Sequence, residues 1–271
     1  MKKQILTVCA AVASAVAVAS TVESSNTFGV MKVYAPTNNQ TILAVPWDAV
    51  GGGSAYITNL VLTTGLKPST DTLLWYSPTE KKYKGWTVSS DGKYWAEGIA
   101  VGENDPFTAS GAETVCVARG QAVVLTRGEA KDGATDTDKD YAFVYGQYNS
   151  AATGAVTINA KAGDNNGLTF LAPPYASNFD VKNLNDTTDG YLSVKPATGD
   201  MILVAANKVF TYDATNSKWV WSYQVYEDDQ FKERQTKDSS TAGQLLIEAG
   251  KGAWYIRTST DAMTVTWKAS E

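Results

Sequence analysis

The sequence predicts an all-β protein: two tandem β-sandwich or jelly-roll-like domains related by internal duplication, following a signal peptide. Three observations predict it. Short segments rich in β-branched and aromatic residues recur between turn formers. No segment keeps an i, i+3, i+4 apolar period beyond a single turn. The second half of the chain also reads as a version of the first.

The first element is the expected signal peptide, residues 1–19. Met1-Lys2-Lys3 is a basic start, Ile5 to Val18 is apolar but short for a membrane span, and Ala17-Val18-Ala19 has the small-x-small form that a signal peptidase reads. Val8 before Cys9 does not fit a lipoprotein site. Cleavage after Ala19 would leave 252 residues with 21 basic and 28 acidic side chains, and Cys116 as the one thiol, so no internal disulfide is expected.

The duplication is carried by collinear matches. Thr41-Ile-Leu-Ala-Val-Pro-Trp47 returns as Thr169-Phe-Leu-Ala-Pro-Pro-Tyr175, and Leu66-Lys-Pro-Ser-Thr-Asp71 as Val194-Lys-Pro-Ala-Thr-Gly-Asp200. Tyr76 and Trp86 are matched to Tyr212 and Trp221, Gly120 and Arg127 to Gly250 and Arg257, and Asp140–Tyr148 to Asp261–Ala269. The offsets drift from 121 to 136, as loop insertions would make them. The expected domains are therefore 23–148 and 149–271, divided in the Ser/Ala/Gly-rich stretch Asn149–Gly154. Phe28–Tyr34, Glu113–Val117, Ala122–Thr126 and Ala253–Thr258 read as strands. Ser89-Ser-Asp-Gly92 reads as a hairpin turn, and Tyr56–Val61 and Phe179–Leu184 as single helical turns.

A Lys-started leader, Val22-Glu-Ser-Ser-Asn-Thr-Phe-Gly29, the Leu-Ala-Val-Pro-Trp segment ending at Trp47, Gly65-Leu-Lys-x-x-x-Asp71 and Ala118-Arg-Gly-Gln-Ala-Val-x-Leu-x-Arg127 are the features of a resemblance. On them the chain resembles a group of uncharacterised secreted tandem β-domain proteins of Gram-negative bacteria, which have no established activity. The resemblance implies export, to the periplasm, the cell surface or the medium, and the tandem β architecture. It transfers no catalytic or binding residue.

Composition excludes several functions. With 23 basic and 28 acidic residues and no basic run, nucleic acid is a poor partner, and the mature chain has no transmembrane segment. The chain has no histidine, which removes Ser–His and Cys–His nucleophiles and His-ligated zinc. Loop carboxylates such as Glu97, Glu103, Asp105 and Glu227–Asp229 form no signature for glycoside hydrolysis. No catalytic residue and no cofactor are expected, and the protein is read as a non-enzyme.

Each remaining candidate has a functional and a structural reading. Trp219, Trp221 and Tyr223 alternate on one strand face, either as an aromatic platform for a sugar ring or as ordinary core. Asp132, Asp136, Asp138 and Asp140 begin like a calcium loop, but Tyr141 and Gln147 stand where glycine and glutamate belong. Asp71 with Arg127 and Asp200 with Arg257 read as two intradomain pairs. Trp47 and Tyr175 plug the ends of the sandwiches or contact a ligand, and Cys116, matched to Leu246, reads as a buried small hydrophobe. The function expected is an exported structural or surface-interaction protein, partnered by itself or by other surface proteins. The alternative is a secreted glycan-binding module using the strand aromatics.

Overall fold

The computed structural model describes residues 27–45, 47–48, 55–56, 60–77, 82–92, 95–98, 116–117, 120–130, 133, 139–148, 154–162, 165–205 and 208–268. The expected signal peptide, Asp132, Asp136 and Asp138 lie outside these residues. The described chain is all-β. Its strands are β1 (Thr27–Tyr34), β2 (Gln40–Ala44), β3 (Ala55–Tyr56), β4 (Val61–Leu62), β5 (Thr72–Ser77), β6 (Lys82–Val88), β7 (Trp95–Gly98), β8 (Cys116–Val117), β9 (Ala122–Thr126) and β10 (Tyr141–Tyr148). They continue with β11 (Gly154–Ile158), β12 (Lys161–Ala162), β13 (Asn165–Asn166), β14 (Leu168–Leu171), β15 (Phe179–Asp180), β16 (Met201–Ala205), β17 (Lys208–Asp213), β18 (Lys218–Glu227), β19 (Gln230–Asp238), β20 (Leu246–Ile247), β21 (Ala253–Ile256) and β22 (Met263–Trp267).

All strand pairing is antiparallel, and every sheet draws its strands from β1–β10 or from β11–β22. The first set holds a five-stranded sheet, β2-β9-β5-β6-β7, and a three-stranded sheet, β1-β10-β4. Inward side chains of both, including Val33, Leu43, Leu73, Trp86, Leu125 and Val144, form one core. The second set holds a six-stranded sheet, β14-β21-β16-β17-β18-β19, and the pair β11-β22. Ile158, Leu171, Phe210, Trp219, Tyr255 and Val265 from these sheets share a second core. The reason is the two-residue period of a strand, which sends alternate side chains to one face.

Two local expectations change. Tyr56 and Val61, the ends of the first expected helical turn, are strand residues in β3 and β4. At 179–184 the chain makes strand β15 and then a 3-10 turn, Val181–Leu184, whose start is capped by Asp180 accepting from the Lys182 N–H (2.9 Å).

The match of Trp86 to Trp221 also slips by one hairpin. The Val88 N–H donates to Asp71 O (3.1 Å) and the Tyr212 N–H to Asp200 O (2.8 Å), which sets Val88 level with Tyr212. Trp86 is then level with Phe210. Val88 pairs with Trp95 as Tyr212 pairs with Trp219. Trp95 and Trp219 are both buried and both donate their indole N–H to a backbone carbonyl, Val61 (2.8 Å) and Leu184 (3.0 Å). The Asp-Gly turn at Ser89–Gly92, closed by the Gly92 N–H on Ser89 O (2.8 Å), thus stands where Asp213–Ser217 stands. A repeated Tyr-x-x-Thr string drew the match to the wrong hairpin.

The β2, β9, β14 and β21 strands are apolar on both faces because both faces are covered. Leu43, Val123 and Leu125 point into the first core and Leu171 and Tyr255 into the second. Their neighbours Ile42, Ala44, Ala122, Val124, Phe170 and Ala172 meet in a third cluster, joined by Leu74, Tyr83 and Trp254. This cluster is a seam between the five- and six-stranded sheets. Backbone bonds close it: the Ala44 N–H donates to Gly250 O (2.9 Å) and the Gly252 N–H to Ile42 O (2.9 Å), around the Leu43–Lys251 bridge.

Candidate functional site

The structure brings Asp71 to Arg127 and Asp200 to Arg257, and all four side chains are buried. Each aspartate ends the turn before a strand of the large sheet, β5 or β16, and each arginine follows the neighbouring strand, β9 or β21. Asp71 Oδ2 accepts from the Lys67 N–H (2.9 Å) and Arg127 Nε (3.4 Å), and its Oδ1 accepts from the Gly128 N–H (2.9 Å). The Arg127 Nη groups reach past the aspartate to backbone carbonyls of Ala35 (2.9 Å), Tyr141 (3.3 Å) and Gly65 (2.9 Å). The side chain therefore ties the five-stranded sheet to the ends of β1 and β10.

Asp200 is more heavily bonded. Its Oδ2 accepts from Arg257 Nη1 (2.8 Å), the Tyr255 hydroxyl (2.8 Å) and the Ala197 N–H (3.0 Å). Its Oδ1 accepts from the N–H (2.7 Å) and hydroxyl (2.8 Å) of Thr258. Burial, with the Asp200 charge and its hydrogen bond next, holds the Tyr255 hydroxyl well above the usual tyrosine range. A carboxylate so saturated by donors of its own chain has no lone pair left for a ligand. The pairs are clasps that hold turn to strand.

The aromatic face of β18 is divided by burial. Trp219 lies in the second core and presents nothing to a ligand, which corrects its place in a platform. Trp221 packs half-buried against the same core, and Tyr223 is exposed. The Trp221 and Tyr223 rings lie 5.5 Å apart at 30°, with the Lys237 ammonium 5.9 Å from the indole. Alternation places all three residues on one face, but the core ends under Trp221.

Trp47 is buried, with its ring against Gly29 of β1 and its Cβ against Gly146 of β10. In the second set the indole comes instead from Trp267 of β22, and Tyr175 packs edge-on beside it at 6.2 Å while its hydroxyl donates to Lys268 O (2.8 Å). Trp47 with Gly146, and Tyr175 with Trp267, fill comparable space with the large ring on opposite partners. Neither indole N–H has a hydrogen-bond partner among the described residues. Both aromatics belong to the cores.

Asp140 Oδ1 accepts from the Thr37 N–H (3.2 Å) and hydroxyl (3.3 Å), tying the start of β10 to the loop after β1. Of the four acidic-loop residues it alone is described. No group of three or more His, Cys, Asp or Glu is placed to hold a metal among the described residues. Cys116 lies in β8, opposite Tyr56.

Sequence reasoning missed the outer face of β1 and β10. Val30, Lys32 and Tyr34 stand opposite Tyr145, Phe143 and Tyr141 there, while Met31, Val33, Ala142 and Val144 face the core. The signal was present in Tyr141-Ala-Phe-Val-Tyr145, where the larger members of the alternation are the outward ones.

Comparison with protein-family models, curated proteins and solved structures returned no match to this chain.

Proposed function

We propose that this chain is an exported, non-catalytic building block or surface-interaction protein, made from two copies of one β-sandwich unit and working by self-association. The observation that carries the reading is the seam. Two large sheets packed back to back, with backbone hydrogen bonds across the joint, make a stiff body rather than two beads on a linker. Each half also sends a glycine of positive φ into the other. Gly120 packs on Trp267, and Gly250 on Met31 and Val33.

The matching sheet orders and the Asp–Arg clasp in each half support the duplication. The absence of histidine from the sequence, and the engagement of both clasp carboxylates with their own chain, support a non-catalytic role. Light scattering on the purified chain tests the reading. Mass that grows with concentration supports it, and a constant single-chain mass sinks it.

The second reading is a glycan-binding module, favoured by the Trp221–Tyr223 stack on an exposed strand. An oligosaccharide titration that quenches or shifts tryptophan emission, and fails in Tyr223→Ala, would favour it over the first.

A further inference from the structure

We infer that the tip of the β18–β19 hairpin docks on the outer face of β1–β10 of a second copy, joining chains head to tail. The inference rests on the self-association reading and names its joint. Six large hydrophobic side chains are exposed among the described residues, and four of them form two patches. Val30 (63%) and Tyr34 (50%) mark the β1–β10 face, while Tyr226 (57%) and Phe231 (73%) mark the tip of the hairpin. Two different, complementary patches on one chain suit a heterologous joint, in which each contact pairs unlike surfaces.

The hairpin is built to project. The outer part of β18 is exposed from Ser222 to Gln224, and its last five residues extend about 16 Å at the usual rise of a strand. Tyr226 and Phe231 are directly opposite in register, with rings 5.0 Å apart and edge-on. They form one apolar knob beneath the turn. The turn itself is Asp228-Asp229, both in the left-handed region with φ of 53° and 58°. Asn-Gly would hold these positions with less strain, so the aspartates bring charge to the tip rather than ease to the turn. With Glu227 beside them, and Lys232 paired to Asp228 at 2.5 Å, the tip is net acidic.

The β1–β10 face is complementary. The outward rings of Tyr141, Phe143 and Tyr145 line β10, and the Lys32 ammonium lies 4.2 Å from the centre of the Tyr141 ring. Lys251 lies 5.5 Å from the ring centre of Tyr34, but its ammonium is paired to Glu248 at 2.7 Å, so the charge this face offers is that of Lys32. An aromatic floor carrying the Lys32 ammonium accepts an aromatic knob edged by carboxylates.

The hairpin does not recruit its partner by adding a strand. The bulge between Tyr223 and Gln224 bends the hairpin, and Lys232, Glu233 and Lys237 charge its outer strand, which are the features that guard a sheet edge. The joint is made by side-chain faces.

The test uses two variants of the full chain and their mixture. One carries Tyr226→Ser with Phe231→Ser, and the other Val30→Glu with Lys32→Glu. Both alter exposed positions, and unchanged circular dichroism and melting are checked first. Each variant alone is expected to lose at least tenfold in self-affinity by sedimentation velocity. Mixed in equal amounts they are expected to form a two-chain species, because one knob and one face remain intact. A wild-type chain that assembles while either variant assembles equally well overturns the joint and leaves the building-block reading standing. So does a mixture that stays monomeric. A wild-type chain that is monomeric at all concentrations overturns both. A face variant that melts well below wild type also overturns the joint, because the chain itself then covers that face.

Discussion

Arg257 Nη1 lies 2.8 Å from Asp200 Oδ2, and both side chains are out of water. The pair is held by donors on every side, so its worth lies in what happens when one partner goes. Removing Arg257 leaves a buried carboxylate, and removing Asp200 leaves a buried guanidinium. Arg257→Met or Asp200→Leu is expected to lose about 3–5 kcal/mol, and the double variant much less than the sum. Urea unfolding measures all three. Single losses under about 1 kcal/mol would mean that the clasp is not structural.

The seam is tested at Gly252. A Cβ there would sit 2.8 Å from Ile42 Cγ2, 3.1 Å from Leu171 O and 3.3 Å from the Ala122 Cβ, so it would strike both sheets at once. Gly252→Leu is expected to lose about 1–3 kcal/mol. Calorimetry is expected to turn one cooperative transition into two. A variant that melts as wild type does would show that the sheets are not tightly joined.

Gly146 lets the Trp47–Asp48 segment approach β10, and its added Cβ would lie 2.6 Å from Asp48 O and 2.8 Å from the Trp47 Cβ. Gly146→Ala is therefore expected to destabilise by about 1–3 kcal/mol, and Trp47→Ala by about 3–5 kcal/mol. Equilibrium unfolding followed by circular dichroism checks both. Little change in Trp47→Ala would argue for a ligand-facing ring.

High pH should unfold the chain. Burial raises the Tyr255 hydroxyl well above its ordinary range and pushes Tyr83 up to about 12. A tyrosine kept neutral in the fold adds stability that is complete below the unfolded value near 10 and is lost as pH rises towards the folded value. Unfolding free energy is expected to hold flat from pH 8 to 9.5 and fall above 10. Absorbance at ~295 nm is expected to show some tyrosines ionising only as the chain unfolds. All fourteen tyrosines titrating together near pH 10 in folded protein would contradict the assignment.

Much of this fold was legible. Ala122–Thr126 is a strand with the ends read from its composition, and Gly92 makes its turn with φ of 73°. The Asp–Arg pairs were legible because the same two charges recur at matching places in both halves of the sequence, and the pairing of β5 with β9 and of β16 with β21 brings each pair together. What was not legible is where a core ends. Period two puts Trp219, Trp221 and Tyr223 on one face, but only packing of the opposite layer makes the first buried and the last exposed. The outward rings of β10 escaped notice for the same reason. Their alternation is that of an ordinary half-buried strand, and the inward side is recognised only once Gly146 is seen to seat Trp47.

The most direct test of the central claim is the molar mass of the purified chain by size-exclusion light scattering, from about 1 to 200 µM, with negative-stain imaging of anything large. The account predicts mass that climbs with concentration beyond two chains, because a head-to-tail joint leaves a free knob and a free face after each addition. A mass that stays at one chain throughout would contradict it.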